Sequence, residues 1–236
     1  MNERQSLLLV AIIDEFIRSA EPVGSKQILA AGRFQVSGAT IRNEMRSLSE
    51  AGFIEQPHTS AGRIPTAKGY RMYVKEHLQP SSYEKLVRQR FNALQEQYNR
   101  RKDQERAYDA VAMLAHMTPN VAFSSVPHKH RVYYLGLHNI LRQPEFMTEP
   151  GLACSIAEML EERFSQVIAG LEIDDRVRYY IGDEHVLPTV QSCSLLLTRY
   201  TLRGEHGAIG ILGPMRMDYA YNTVALGLAA DFLRSS

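Results

Sequence analysis

The chain has 236 residues, room for one large domain or two small ones, and its hydrophobic fraction of 44% is that of an ordinary globular protein. Lys plus Arg is 27 and Asp plus Glu is 26, so the overall charge points to no strongly anionic or cationic partner. The apolar run Leu7 to Ile13 meets Asp14 and Glu15 at once and no other run reaches spanning length, so a cytoplasmic protein without signal peptide or membrane anchor is expected.

Charge is unevenly distributed. From Ser37 to Lys75 six basic residues face three acidic ones, whereas from Pro119 onward ten basic residues face thirteen acidic ones. An anionic partner would therefore be met in the first third of the chain. Cys154 and Cys193 are too few and too far apart for a disulfide framework or a zinc site, and both read as buried, reduced thiols; no cofactor or metal is expected.

Residues Glu3 to Ser19 predict a first helix, stopped by Glu21, Pro22, Val23 and Gly24. Ser25 is the candidate N-cap of a short second helix to Ala31. Ser37 caps a third helix that runs to Ala51 and ends at Gly52. Ile41, Met45 and Leu48 fall at i, i+4 and i+7 and make its core stripe, while Ala39, Asn43 and Arg46 lie opposite, with Arg42 on a flank. Phe53 to Gln56 and Arg63 to Pro65 predict two short strands joined by a polar loop, Pro57 to Gly62, and Thr66 caps a fourth helix to about Leu78.

Three helices, a hairpin and a helix are the element order of a winged helix-turn-helix. Such a module places its third helix in the major groove and its hairpin, the wing, against the backbone. Ser37, Gly38 and Ala39 at the start of the third helix permit close approach, and its first amides favour phosphate. Arg42, Asn43 and Arg46 carry the donor patterns that read guanine and adenine edges. His58, Thr59, Ser60 and Arg63 in the wing supply donors to sugar and phosphate. Winged helices also serve as protein-binding modules, so this pattern alone leaves both uses open.

Pro80, Ser81 and Ser82 mark a boundary, and Tyr83 to about Met117 reads as a long helical region with one stripe of Tyr83, Val87, Phe91, Leu94 and Tyr98 and a second of Tyr108, Val111, Ala112 and Ala115. The charged run Asn99 to Arg106 between them fits a solvated face, a turn or an extra phosphate contact. From Pro119 strands are predicted at Val121 to Val126, Arg131 to Leu137, Val177 to Ile181, Ser194 to Leu202 and Ala208 to Leu212, and helices at Leu152 to Ile168 and Met217 to Leu233. The fold class is thus α+β: a winged helix-turn-helix over 1–80, a helical linker and candidate dimer contact over 81–118, and an antiparallel sheet covered by helices over 119–236.

Four stretches resemble the bacterial heat-inducible transcription repressor HrcA family: "EPVGSKQI" (Glu21 to Ile28), "VSGATIRNEMRSLSEAGFIEQPHTSAGRIPTAKGYRMYV" (Val36 to Val74), "GLHNILRQPEF" (Gly136 to Phe146) and "IGILGPMRMDY" (Ile209 to Tyr219). The resemblance implies a homodimeric repressor that binds an inverted-repeat operator in double-stranded DNA upstream of chaperone genes. It also implies a C-terminal GAF-like domain and activity maintained by the GroEL chaperonin. Carried over, the DNA-contacting positions are Ser37, Ala39, Thr40, Arg42, Asn43 and Arg46, with His58, Thr59, Ser60 and Arg63 in the wing. Family members are longer, with a dimerising segment inserted in the GAF-like region, and Phe146 to Leu152 leaves little room for one. The stripe of the Tyr83 to Met117 region is then the expected interface.

Two other classes compete. A ligand-sensing GAF-like domain would use Tyr133, Tyr179, Tyr180 and Tyr200 around a pocket. An enzyme would pair Cys154 or Cys193 with His138 or His185, but no nucleophile motif surrounds either cysteine, and no enzyme is expected.

Overall fold

In a computed structural model, residues 1–98, 106–126, 131–184, 191–202 and 204–234 are described. The chain divides into two units, Met1–Leu78 and Gln79–Ser236.

The first unit follows its local signals closely. Helix α1 spans Glu3–Ser19, α2 Ser25–Ala30, α3 Gly38–Glu50 and α4 Ala67–Glu76. Strands β1 (Ile54–Glu55) and β2 (Ile64–Pro65) pair antiparallel, Ile54 opposite Pro65 and Glu55 opposite Ile64. The predicted cap of α2 is displaced by one residue. Gly24 takes that position, its N–H donating to Gln27 Oε1 at 2.6 Å. Leu8, Leu9, Ile12 and Ile13 of α1 meet Ile41, Met45 and Leu48 of α3 and Tyr70 of α4 in the buried interior.

The second unit is built on a five-stranded antiparallel sheet of order β4-β3-β7-β6-β5. The strands are β3 Val121–Val126, β4 Arg131–Leu135, β5 Arg178–Ile181, β6 Cys193–Leu202 and β7 Glu205–Pro214. Val121, Phe123, Leu195, Leu197 and Leu212 line one face under a layer that includes Ile140, Phe146, Ile156, Phe164 and Ile168. That layer is α7 (Leu137–Leu141), α8 (Pro144–Thr148), α9 (Pro150–Glu158), a π-helical turn over Met159–Arg163, and α10 (Phe164–Gly170). The wide turn joins α9 to α10, so the single helix predicted over Leu152 to Ile168 is continuous in space but not uniform in winding.

Helix α11 (Tyr219–Arg234) covers the other face, where Tyr219 Oη and Ser194 Oγ lie 2.8 Å apart. Helices α5 (Glu84–Tyr98) and α6 (Arg106–Met117) pack on α11 in turn. Two glycines of β7 admit aromatic neighbours on the facing strands. Gly210 lies opposite Phe123 and Gly207 opposite Tyr200, and a Cβ at Gly207 would come within 2.5 Å of the Tyr200 ring.

This packing corrects the expectation for residues 81–118. Of the stripe expected as a dimer contact, Tyr83, Val87 and Phe91 pack within the second unit. Val87 and Phe91 are buried, Phe91 meeting Phe232 edge-on with ring centroids 6.2 Å apart. Tyr83 makes the same kind of contact with Tyr221 at 5.7 Å, and Arg90 donates to Tyr221 Oη at 2.7 Å. The reason lies in α11, which is buried on nearly every side and so presents a second apolar face away from the sheet. Of the charged run, residues 99–105 lie outside the described residues.

Candidate nucleic-acid interface

Helix α3 begins where Ser37 Oγ accepts from the Thr40 N–H at 3.1 Å and meets the Thr40 hydroxyl at 2.9 Å. Two of the candidate contact residues thus also form the cap. The helix ends at Gly52, whose φ of +76° allows the Phe53 N–H to reach back to Leu48 O at 2.9 Å. Lys68 Nζ donates to Ala51 O at 2.8 Å, placing a cation at the negative end of the helix.

Between these caps the helix has two unlike sides. Ile41, Met45 and Leu48 face the core, while Ala39, Arg42, Asn43 and Arg46 are exposed. Among the described residues neither Arg42 nor Arg46 has an ion-pair partner, so both guanidinium charges remain uncompensated toward solvent.

One polar residue breaks the division. Glu44 sits on the core side and is buried; Arg4 Nε of α1 donates to its Oε1 at 3.0 Å, and Arg4 Nη2 bonds the same oxygen. Hydrogen bonding by Arg4, helped by Gln5, holds this carboxyl below the usual carboxylate range despite its burial. Sequence reasoning missed Glu44, although a carboxylate three residues after Ile41 and four before Leu48 is a visible break in the stripe.

The hairpin loop carries His58, Thr59 and Ser60 exposed and Arg63 partly buried. Gln56 braces it from inside: its Nε2 donates to Thr59 O and Ala61 O, both at 2.9 Å. Ser60 Oγ and His58 Nδ1 lie 3.3 Å apart. The base is fastened to the turn after α1, because Val23 and Arg63 exchange both backbone hydrogen bonds at 2.9 Å. Gly62 permits this approach, since a Cβ there would lie 2.5 Å from the Val23 carbonyl carbon and 2.6 Å from Pro22 O. Gly69 does the same one element later, where a Cβ would collide with Phe53 O. Gln56, Gly62 and Gly69 gave no signal as a bracing set in the sequence, because each acts on a backbone group that the fold brings up to it.

The competing sites fare differently. Register places Tyr179 and Tyr180 on opposite faces, and Tyr133 and Tyr179 stand on strands at opposite edges of the sheet. Three of the four hydroxyls are engaged elsewhere: Tyr179 with Thr223 at 2.8 Å, Tyr180 with Glu172 O at 2.7 Å, and Tyr200 with Ser125 O at 2.9 Å. The four do not gather around one pocket. Cys193 is buried and its thiol is pushed up to about 12 by that burial, so thiolate, the nucleophilic form, is scarce at neutral pH. Cys154 is exposed on α9, contrary to its expected burial, because it falls on the outer side of that helix from Ile156. His185 lies outside the described residues.

Comparison with known proteins bears on the whole chain. Residues 67–222 match the HrcA protein C terminal domain. The chain belongs to the HrcA family. The heat-inducible transcription repressor HrcA of Brevibacillus brevis is 28% identical to it over 332 aligned residues, covering 99% of this chain and 97% of that one. HrcA of Moorella thermoacetica is 50% identical over 97 residues, 39% of this chain and 28% of its own. An alignment of 332 residues against a chain of 236 gives the Brevibacillus HrcA long segments with no counterpart here. A crystal structure described as a hypothetical protein shares the fold seen here, with a TM-score of 0.79 at 17% identity, covering 100% of this chain and 97% of that one. Among the described residues no helix is long and apolar enough to cross a membrane.

Proposed function

We propose that this chain is a DNA-binding repressor of heat-shock genes, acting in the cytoplasm, with residues 1–80 as a winged helix-turn-helix and 119–236 as a GAF-like domain. The observation that carries the reading is the outer side of α3, where Arg42, Asn43 and Arg46 stand exposed and both arginine charges are uncompensated among the described residues. Helix α3 is the reading helix. Arg42, Asn43 and Arg46 contact base edges, while Ser37, Ala39 and Thr40 lie against the backbone at its N-terminal end. The loop with His58, Thr59, Ser60 and Arg63 is the wing, and its bracing by Gln56 and Gly62 supports a rigid backbone contact.

Family membership supports the regulatory role, and the name its relatives carry supports heat induction. The resemblance carries the remaining parts: an inverted-repeat operator bound by a homodimer, and activity maintained by the GroEL chaperonin. Two-fold symmetry in the protein matches a palindromic site. The antiparallel sheet with helices on both faces supports the GAF-like assignment.

Footprinting on the promoters of the host's chaperone genes tests this directly. A protected inverted repeat is expected, and Arg46→Ala weakens its binding by about 1–3 kcal/mol while relaxing sequence preference. Equal losses on the protected site and on unrelated DNA would assign Arg46 to phosphate. Absence of any protected site overturns the reading.

A further inference from the structure

The carboxylate on the core side of α3 calls for an explanation that stability does not supply. A hydrophobic residue at Glu44 would continue the stripe of Ile41, Met45 and Leu48 and cost no desolvation. Burying an ion pair is often no more stabilising than apolar residues of the same shape. What such a pair adds is direction. The hydrophobic driving force is itself non-directional, whereas a charge-assisted hydrogen bond near 3 Å tolerates little movement.

Glu44 is held by the first turn of α1. Arg4 Nε donates to Oε1 at 3.0 Å with Nη2 on the same oxygen. That turn is itself rigid. Asn2 Oδ1 accepts from the Gln5 N–H at 2.8 Å, and Gln5 Oε1 accepts from the Asn2 N–H at 3.0 Å. Arg4, which holds Glu44, therefore sits inside the capping box of α1, between Asn2 and Gln5. Asn43 precedes the anchor, Arg42 lies two residues before it and Arg46 two after it, so any turn of the helix about its axis moves all three together.

We infer that the Arg4–Glu44 pair fixes the rotation of α3 and so sets which bases Arg42, Asn43 and Arg46 meet: Glu44 and Arg4 are positioning residues for sequence discrimination. This rests on the DNA-reading assignment above. The geometry makes the effect large. Side chains reach roughly 5–6 Å from a helix axis, so a rotation of ~15° moves their ends by ~1.5 Å. Hydrogen-bond distances span only about 0.5 Å, so base contacts are lost at that displacement. Phosphate contacts made by long, flexible side chains adapt to it.

The experiment first enriches duplexes from a randomised library with the wild-type chain. Failure to enrich any sequence overturns the DNA reading itself, an outcome distinct from failure of the anchor. The enriched duplex and an unrelated duplex of equal length are then titrated with wild type, Glu44→Leu, Arg4→Met and Glu44→Gln at two salt concentrations. Glu44→Leu and Arg4→Met are expected to lower the ratio of the two affinities by about tenfold or more, on the scale of one lost base contact. Binding to the unrelated duplex and its salt dependence stay within about twofold, because phosphate contacts survive. Glu44→Gln, which keeps hydrogen-bonding capacity, recovers part of the ratio. Thermal unfolding confirms that each variant is folded, and Arg4→Met, whose side chain is 48% exposed, carries the test if Glu44→Leu is not. An unchanged ratio in folded Arg4→Met overturns the inference, as does an equal fall on both duplexes.

Discussion

Replacing Phe91 by Ala tests whether the stripe on α5 belongs to the core of the second unit or to a subunit contact. Phe91 is 3% exposed and its ring stands edge-on to Phe232 of α11. Truncating a buried phenylalanine costs about 3–5 kcal/mol, of which the aromatic pair accounts for about 0.5–1.5 kcal/mol. With a urea slope of about 2 kcal/mol per molar, the midpoint of the second unit should fall by about 2 M. The chain has no tryptophan, so unfolding is followed by circular dichroism at 222 nm. Leu86, 50% exposed on the same helix, is the control, and Leu86→Ala should stay within about 0.5 kcal/mol. The sedimentation coefficient of folded Phe91→Ala should equal that of the wild type. A midpoint shift no larger than the control's, together with slower sedimentation, would return this stripe to the subunit interface and refute the packing argument.

Gly62→Ala pushes a methyl group into the Pro22–Val23 backbone; it should destabilise the first unit by about 1–3 kcal/mol and weaken DNA binding, and wild-type stability would show that the hairpin base is not tied there. Glu44 titrates below the usual carboxylate range because Arg4 hydrogen-bonds to it. Its contribution is therefore complete above the unfolded carboxylate value and is lost as pH falls through the folded one. The stability gap between wild type and Arg4→Met should accordingly be widest near neutral pH and close in acid; a gap that widens on acidification would reverse the sign. Iodoacetamide should label Cys154 and spare Cys193 in the native protein, as read by mass spectrometry of peptides, and native labelling of Cys193 would contradict its burial and raised pKa.

Much of the fold was legible where the signal is local. Ser37 and Thr66 accept the capping bonds their positions implied, Gly52 adopts the left-handed conformation, and β3 spans Val121–Val126 as its composition predicts. The exposure of Arg42, Asn43 and Arg46 also follows from spacing, because the Ile41, Met45, Leu48 stripe determines which way the rest of that helix faces. The short helices over 137–148 were not legible: five residues carry too little periodicity, and their positions depend on contacts such as Asn139 Nδ2 to Ala115 O at 2.8 Å and Arg216 Nε to Glu145 Oε1 at 2.7 Å.

What the amino-acid order determines by itself is that a face is apolar; it does not name what covers that face. The α5 stripe looked unpartnered until α11 was seen to bury both of its sides, with Arg90 meeting a tyrosine 131 residues away. Glu44 looked like one more polar helix residue, and only the arrival of Arg4 from 40 residues earlier makes it an anchor. Caps and stripes are set by neighbours within one or two turns, so sequence carries them. Partners across the fold are chosen by the total burial and hydrogen bonding of the finished structure, and no local pattern encodes that sum.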